Sequence, residues 1–529
     1  MGGIARHMNH IYDDMGMKFS TILEIFSLAS SGKLQATEKV DGQNLYFTYD
    51  KASRLTKFAR KEEEAASGGL TKDQLGSEFL KKRDASDDPS GYQGVVDAFY
   101  LGMEAIEKAL SNISDETKNT VFDRAKEVEG RQISTVYMNC EVMYSGNRNL
   151  ILYDGDFIVF HNYDILDEKL NALPEEALAE IDTAMREKFM VIVSEIEKQE
   201  AQAAANQWKV VGPQVVALNN MGEEGSKEFV NDAKTDLMSI ISQRGLSLDD
   251  TFGDYIAASV REEIIPKLIF DQKLSDALID AAVESAKNPA SWSASPTVGG
   301  DKIPEDPRER MRFLKAMHGG SKADRKVISR LFSKSYGVSL QKIILEPFAQ
   351  FAVAYTSKIL DGVESSFMID NKQGQQVFIE TVNMAIEYFR QKFKEEEDPS
   401  SELSKLRKIA RDDSKVSALD RKSRADLKKA IESSDKFKLK YETQMGRLVS
   451  VDRITTPVEG VVFEYPPGSN KYYKFTGGFA ASNQLLGMLG WADKERFSKE
   501  AKKKVMTQTK ALSEAYLDLI IKKAMTLEG

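Results

Sequence analysis

Two stretches with β-strand texture, far apart in the chain, most constrain the fold. The first runs from about Gln35 to Tyr163 and the second from Val458 to Thr476. In the first, Leu45-Tyr46-Phe47-Thr48-Tyr49 is aromatic and β-favouring, and Asp50 to Ser53 reads as a turn into Leu55 to Arg60. Leu150 to Tyr153 and Phe157 to Phe160 flank Asp154-Gly155, a hairpin signal. Between them, Ser67 to Gly94 is polar and rich in Gly and Asp, and a helix is expected from about Val95 to Leu110. In the second stretch, Pro466 to Asn470 is a turn between strands over Val458 to Tyr465 and Lys471 to Thr476. A strand pattern divided this way predicts one β-rich unit whose last strands return after a long insertion.

The intervening chain, from about Glu168 to Tyr441, is mostly helical in pattern. Ala177 to Ala203 is rich in Ala, Glu and Lys, which favour helix. Val210 to Val216 is a short strand-like interruption, and Asn288 to Arg308 reads as a loop. Helices are expected at Arg325 to Leu331, Leu340 to Leu360 and Val377 to Lys394. Leu403 to Tyr441 is dense in Lys and Arg with acids interleaved, and from about Gln484 the pattern is helical again. The expected class is α+β: an antiparallel-sheet unit over 1–167 and 451–483, a mostly helical insertion over 168–450, and a helical tail over 484–529.

Bulk properties exclude several alternatives. At 529 residues the chain can bury two or more cores. Hydrophobic content of 41% with 29% charged residues fits a soluble globular protein, not a disordered one. No apolar run approaches the roughly 20 residues of a membrane span, and Met1 to Ser20 lacks the apolar core of a secretory signal. No membrane partner and a cytoplasmic setting are therefore expected. The single cysteine, Cys140, rules out an intramolecular disulfide and a cysteine-rich metal site. His7, His10, His161 and His318 are too scattered in sequence to suggest a metal site. The net charge of −9 disfavours indiscriminate coating of nucleic acid but leaves room for a substrate held in one cleft.

Four segments carry residues capable of chemistry. In Lys39-Val40-Asp41-Gly42, Lys39 and Asp41 lie two apart, so an extended backbone turns both side chains the same way. Gly42 allows close backbone approach or an unusual dihedral. A lysine nucleophile must be deprotonated, and partial burial or nearby cations would bring its pKa down. Glu141 lies in the apolar segment Tyr137 to Tyr144, where an acid must be solvated, paired or functional. The segment Phe157 to Ile165 offers aromatics that can stack on a purine, but Phe157 and Phe160 differ in parity, so only one can face a pocket. Finally, Glu459-Gly460 and Lys474 occupy the two arms of the C-terminal hairpin.

In order and texture these segments resemble the covalent nucleotidyltransferase superfamily of ATP-dependent polynucleotide ligases and capping enzymes. Lys39, Asp41 and Gly42 match its nucleophile motif. Arg60 falls where the family has a basic residue after the first hairpin. Glu141 and Glu459-Gly460 match its two acidic motifs, and Lys474 its last lysine. Asn147-Arg148 after the Glu141 strand resembles phage-type RNA ligases. There are departures. Tyr472 stands where the last motif's first lysine falls, and strand parity separates Lys471 from Lys474. The insertion is longer than the family's usual connection. The tail is short for the oligonucleotide-binding barrel that DNA ligases and capping enzymes carry.

The resemblance implies an antiparallel-sheet adenylation domain and an ATP-dependent RNA ligase. Lys39 takes AMP from ATP, the AMP passes to a 5′-phosphate, and a 3′-hydroxyl seals the RNA ends. Lys474, with Lys471 second, is implied for transition-state charge, and Arg60 for a phosphate. Glu459 would hold Mg2+ (or Mn2+), Glu141 the ribose, and Phe160 the adenine. DNA ends, a capping-type guanylyltransferase, and a non-catalytic protein on a ligase-like fold are the alternatives.

Overall fold

The computed structural model describes residues 8–86, 89–122, 127–128, 131–144, 151, 153, 155–167, 187–197, 208–268, 274–288, 297–298, 300–318, 321–367, 379, 383, 442–451, 453–469 and 471–488. The chain is mixed α+β with mostly antiparallel strand pairing. It opens with β1 (Asn9–His10), α1 (Phe19–Ser30), β2 (Ala36–Lys39), β3 (Gln43–Asp50) and β4 (Leu55–Ala59). Helices α2 (Glu62–Ala66), α3 (Lys72–Asp84), α4 (Pro89–Ser111) and α5 (Asp115–Phe122) follow. Strands β5 (Glu127–Val128), β6 (Arg131–Met143) and β7 (Asp156–Asp167) come next, then a helix α6 over 187–197, β8 (Trp208–Val211) and β9 (Val215–Val216).

A helical run comes next: α7 (Gly222–Ile241), α8 (Phe252–Ser259), α9 (Ile265–Leu268) and α10 (Asp276–Lys287). A small hairpin, β10 (Thr297–Val298) and β11 (Asp301–Lys302), leads into α11 (Pro307–His318), α12 (Lys322–Leu331) and α13 (Lys334–Ile359). Strands β12 (Gly460–Glu464) and β13 (Tyr472–Phe475) return near the C-terminus, followed by a helix at Phe479–Met488.

The chain divides into two compact units, one of 1–8, 35–219 and 360–529, the other of 9–34 and 220–359. The first holds two sheets. One has the strand order β13-β12-β2-β9, and the other β4-β3-β6-β7-β8, antiparallel except for the β7–β8 pair. Alternation sorts the second sheet's faces. Leu45, Phe47, Met138, Cys140, Ile158 and Phe160 form one core with residues of α3, α4, α5 and α6. Phe79 of α3 and Phe99 of α4 stack there at 4.3 Å between ring centroids. Burying each such side chain stabilises the fold by about 1.5–3 kcal/mol. The opposite face carries Asn44, Asn139 and Glu141, with the Asn44 amide donating to Asn139 at 2.7 Å.

The second unit is helical around an aromatic core. Phe19 and Phe26 of α1 meet Phe252, Phe348 and Phe351, and Tyr355 donates to Asp236 of α7 at 2.6 Å.

The structure redraws the expected boundaries of 1–167 and 168–450. Residues 9–34 join the helical unit because α1 buries Ile22, Ile25, Phe26 and Ala29, and that apolar stripe packs against α7. Residues 208–216 do not belong to an insertion: β8 pairs with β7 and β9 with β2. The stretch Ser67 to Gly94, read as a polar connection, holds α3, whose N-terminus is closed by a reciprocal Thr71–Gln74 capping box. Of the expected Asp154-Gly155 hairpin, β7 forms from Asp156 and Ile151 and Tyr153 are not in strand, while Leu150, Leu152 and Asp154 lie outside the described residues. Much of the helix expected at Val377 to Lys394, the basic stretch Leu403 to Tyr441 and the tail beyond Met488 lie outside the described residues.

Candidate active site

Lys39 ends β2, where its backbone pairs with Gly460 at the start of β12. The residue before Gly460 is Glu459, and its carboxylate forms an ion pair with the Lys39 ammonium. Both side chains are half-buried. Residues 40–42 then carry the chain from the first sheet to the second, ending on β3. On the way, the Asp41 backbone N–H donates to the Tyr153 hydroxyl at 2.6 Å. The Gly42 N–H donates to Glu141 Oε1 at 3.2 Å. Lys39, Asp41, Glu141 and Glu459 thus meet in one electrostatic cluster, although more than 400 residues of chain separate Lys39 from Glu459.

Two glycines permit this approach. A Cβ on Gly460 would stand 2.1 Å from the carbonyl oxygen of Phe475, and one on Gly42 would stand 2.6 Å from Glu141 Cγ and 2.8 Å from the Val142 carbonyl. The obstacles include fixed backbone, which cannot swing aside. Gly460→Ala is therefore expected to destabilise the protein by about 1–3 kcal/mol through overpacking, read as a lower urea midpoint. An unchanged midpoint would mean that β12 and β13 are farther apart in solution.

The charge balance differs from the expected one. Burial draws the Lys39 ammonium toward a lower pKa, but Glu459 first, then Glu141 and Asp41, outweigh it and hold Lys39 above the ordinary lysine value. Glu459 is pushed up to about 7, foremost by burial, with Asp41 and Glu141 adding to the rise and Lys39 opposing it. The two upward shifts have different leading causes: burial for Glu459, and the surrounding carboxylates, acting against burial, for Lys39. The expectation of a lowered lysine pKa is corrected accordingly.

A pH dependence follows. A raised pKa keeps the neutral amine scarce at pH 8, and its fraction grows about tenfold per pH unit until the pKa is reached. Acylation of Lys39 by an amine-reactive ester, followed by mass spectrometry, should level off at higher pH than acylation of a lysine in a short unstructured peptide. Glu459→Gln removes the strongest upward influence and should move the Lys39 profile to lower pH. A profile unmoved by this substitution would show that the pair does not control the lysine.

Strand register settles the lysines of the last hairpin. Val462 pairs with Thr37 on one side and Lys474 on the other. Thr37 and Lys39 alternate onto the same face of β2, so Lys474 shares the face of Lys39. Lys471 precedes β13, and its backbone N–H donates to Ser469 Oγ at 3.2 Å. Continued alternation assigns it to the opposite face, with the buried Tyr473.

Arg60 follows β4 and turns toward the helices. Its Nε donates to the Asn44 carbonyl at 3.2 Å, and its guanidinium lies over the Phe99 ring at 4.3 Å. Phe160 does not serve as expected. It pairs with Cys140, faces the helix-side core, is completely buried and packs against Phe47 at 5.2 Å. Neither face of its ring is open to a base, so its assignment to adenine is withdrawn.

Two residues escaped the sequence reading. His161 lies at a bulge, since Asn139 pairs with Asn162 but Cys140 pairs with Phe160. Its Nε2 stands 3.6 Å from Glu141 Oε2. Scattered histidines gave no hint of this, because a bulge is a property of paired strands. The other is Glu38, whose carboxylate is buried on the back of β2. It accepts from Ser365 Oγ at 2.6 Å and from the Ser366 N–H at 2.7 Å. Burial raises its pKa against those hydrogen bonds. Its signal was parity: beside Lys39 in a strand, Glu38 must point the other way.

His10 stacks on Tyr12 at 4.9 Å, while His7, Asn147 and Arg148 lie outside the described residues. Among the described residues, no helix is long and apolar enough to cross a membrane, and no group of three or more His, Cys, Asp or Glu side chains is arranged as a metal site. The chain matches no protein-family model, no curated protein and no solved structure.

Proposed function

We propose that this protein is an ATP-dependent RNA ligase of the covalent nucleotidyltransferase superfamily, acting through AMP linked to Lys39. One observation carries the reading. The lysine of the Lys-x-Asp-Gly motif is ion-paired with the glutamate of the distant Glu-Gly motif, and Lys474 lies on the same sheet face. The pair brings residues of two motifs far apart in sequence to one place, as a shared site requires.

In this reading Lys39 Nζ, once it has lost its proton, attacks the α-phosphorus of ATP. An N–P bond forms, and the bond to the leaving pyrophosphate breaks. A 5′-phosphate oxygen then takes the AMP and frees Lys39, and a 3′-hydroxyl attacks that phosphate and expels AMP. Lys474 stabilises charge that develops on the α-phosphate. Glu141, anchored by the Gly42 N–H, lines the site beside Lys39. The carboxylate of Glu459 has the hard oxygens that suit Mg2+ or Mn2+, and such an ion would supply positive charge at the phosphates. Release of Glu459 from Lys39 would also remove the strongest influence holding the lysine protonated.

The test uses ATP labelled at the α-phosphate. Label should remain on the denatured protein, and a chase with 5′-phosphorylated RNA should move it to RNA and then release it as AMP when a 3′-hydroxyl end is present. Absence of label under these conditions overturns the proposal. Label that moves only to nicked duplex DNA, or that arises from GTP alone, redirects it to a DNA ligase or a capping-type enzyme.

A further inference from the structure

The helical unit carries a concentration of positive charge that the site does not use. Residues 308–330 contain eight Lys and Arg against two acids, in a chain whose net charge is −9. This segment forms α11 and α12, which pack against each other. On α11, Arg308, Arg312 and Lys315 recur at helical spacing and are exposed, while Arg310 and Leu314 are buried. On α12, Lys322, Lys326 and Arg330 recur every four residues and are exposed, while Ile328, Ser329 and Leu331 are buried. Each helix therefore shows a row of cations on the side away from its core.

The two helices are tied to each other. The buried Arg310 guanidinium donates to the Phe332 carbonyl just beyond α12, and to the Glu305 carbonyl at 2.7 Å. That bond fastens α11 to the end of α12. Asp306 and Asp324 serve as caps, Asp306 accepting from the Arg308 and Glu309 N–H groups and Asp324 completing the Ser321 capping box, while Glu309 is exposed on α11. Among the described residues of this unit, ion pairs form at Lys227–Glu223, Arg244–Glu263, Arg261–Asp280 and Lys267–Glu263.

We propose that the exposed faces of α11 and α12 dock the sugar–phosphate backbone of RNA, with Arg308, Arg312, Lys315, Lys322, Lys326 and Arg330 as phosphate contacts. The choice of RNA rests on the ligase reading; the cationic surface stands apart from it. Cations four residues apart on a helix are about 6 Å apart along its axis, comparable with neighbouring phosphates on an extended strand. A membrane would need an apolar face to insert, and the apolar side of both helices is buried in the unit. A protein partner would need an apolar centre, and within this segment Met317 is the exposed large hydrophobic residue.

The experiment compares two full-length variants with the wild type. One is Arg312→Gln/Lys315→Gln/Lys326→Gln/Arg330→Gln. The control, Lys227→Gln/Lys234→Gln/Arg261→Gln/Lys267→Gln, removes equal charge from elsewhere in the same unit. The probe is a fluorescent 5′-phosphorylated single-stranded RNA, followed by anisotropy without ATP over a range of salt. The patch variant should bind at least tenfold more weakly, and its slope of log affinity against log salt should be shallower by about 2–3, since each lost single-strand phosphate contact removes roughly 0.7. The control should bind within about threefold of wild type, and circular dichroism should show both variants folded.

Equal loss in both variants, or no loss in the patch variant, overturns the proposal. So does patch-dependent binding to phosphatidylserine vesicles that exceeds binding to RNA. The two proposals fail separately. Patch-dependent RNA binding without label on Lys39 removes the ligase reading and keeps the surface. Normal labelling with patch-independent RNA binding does the reverse.

Discussion

Lys39→Arg should yield a folded protein that takes no label from ATP. Arginine keeps the positive charge among Glu459, Glu141 and Asp41, so those carboxylates retain a cation. It does not lose its proton in a protein, so no nucleophile remains. Labelling should fall by roughly 10⁴-fold or more, the scale for loss of a nucleophile. Lys39→Ala should be equally inactive, but it strips the cation from a half-buried cluster and is expected to lower stability as well. Breaking one side of a buried ion pair costs about 3–5 kcal/mol, and partial exposure reduces that here. Circular dichroism and urea titration separate the two effects. Undiminished label in Lys39→Arg would place the nucleophile elsewhere and end the site assignment.

Lys474→Ala should reduce the initial rate of labelling by roughly 10²–10³-fold, the usual cost of losing one preorganised charge-stabilising group. Glu459→Ala should be comparably damaging, because the same residue is the partner of Lys39 and the candidate metal ligand. Lys471→Ala should remain within about threefold of wild type, as is usual for a substitution away from the site. The difference arises from alternation. Lys474 pairs with Val462, Val462 pairs with Thr37, and Thr37 alternates onto the face of Lys39. Lys471 lies an odd number of residues away and before the strand. Single-turnover labelling with saturating ATP measures all three. A loss in Lys471→Ala equal to that in Lys474→Ala would mean that β13 is bulged or shifted in register.

Much of the candidate site could be read from local spacing. The strands around Leu45 to Tyr49, Val458 to Tyr465 and Lys471 to Thr476 announced themselves through aromatic and β-branched residues bounded by turns. The opposition of Lys471 and Lys474 followed from the period of two, which depends on the backbone alone. Helix α3 was missed because its apolar positions are few. Its Thr71-x-x-Gln74 box was nonetheless present and would have marked the start of the helix. The place of α1 was also missed. An amphipathic helix declares that it has a buried face, but not which surface covers it.

By itself, the sequence determined the class of the chain, the order of its motifs and the parity of residues within each strand, because these depend on backbone periodicity and on neighbours a few positions away. Only the tertiary structure decided which strands are adjacent and in what register. That placed Glu459 against Lys39, put Gly42 and Gly460 where no Cβ fits, and sent Phe160 into the core. It also decided the charge state of Lys39. A proton's affinity there depends on three carboxylates, one two residues away and the others on distant strands or turns. Coulombic interaction falls with distance in space, not with separation along the chain, so no local reading of Lys-x-Asp-Gly could anticipate it.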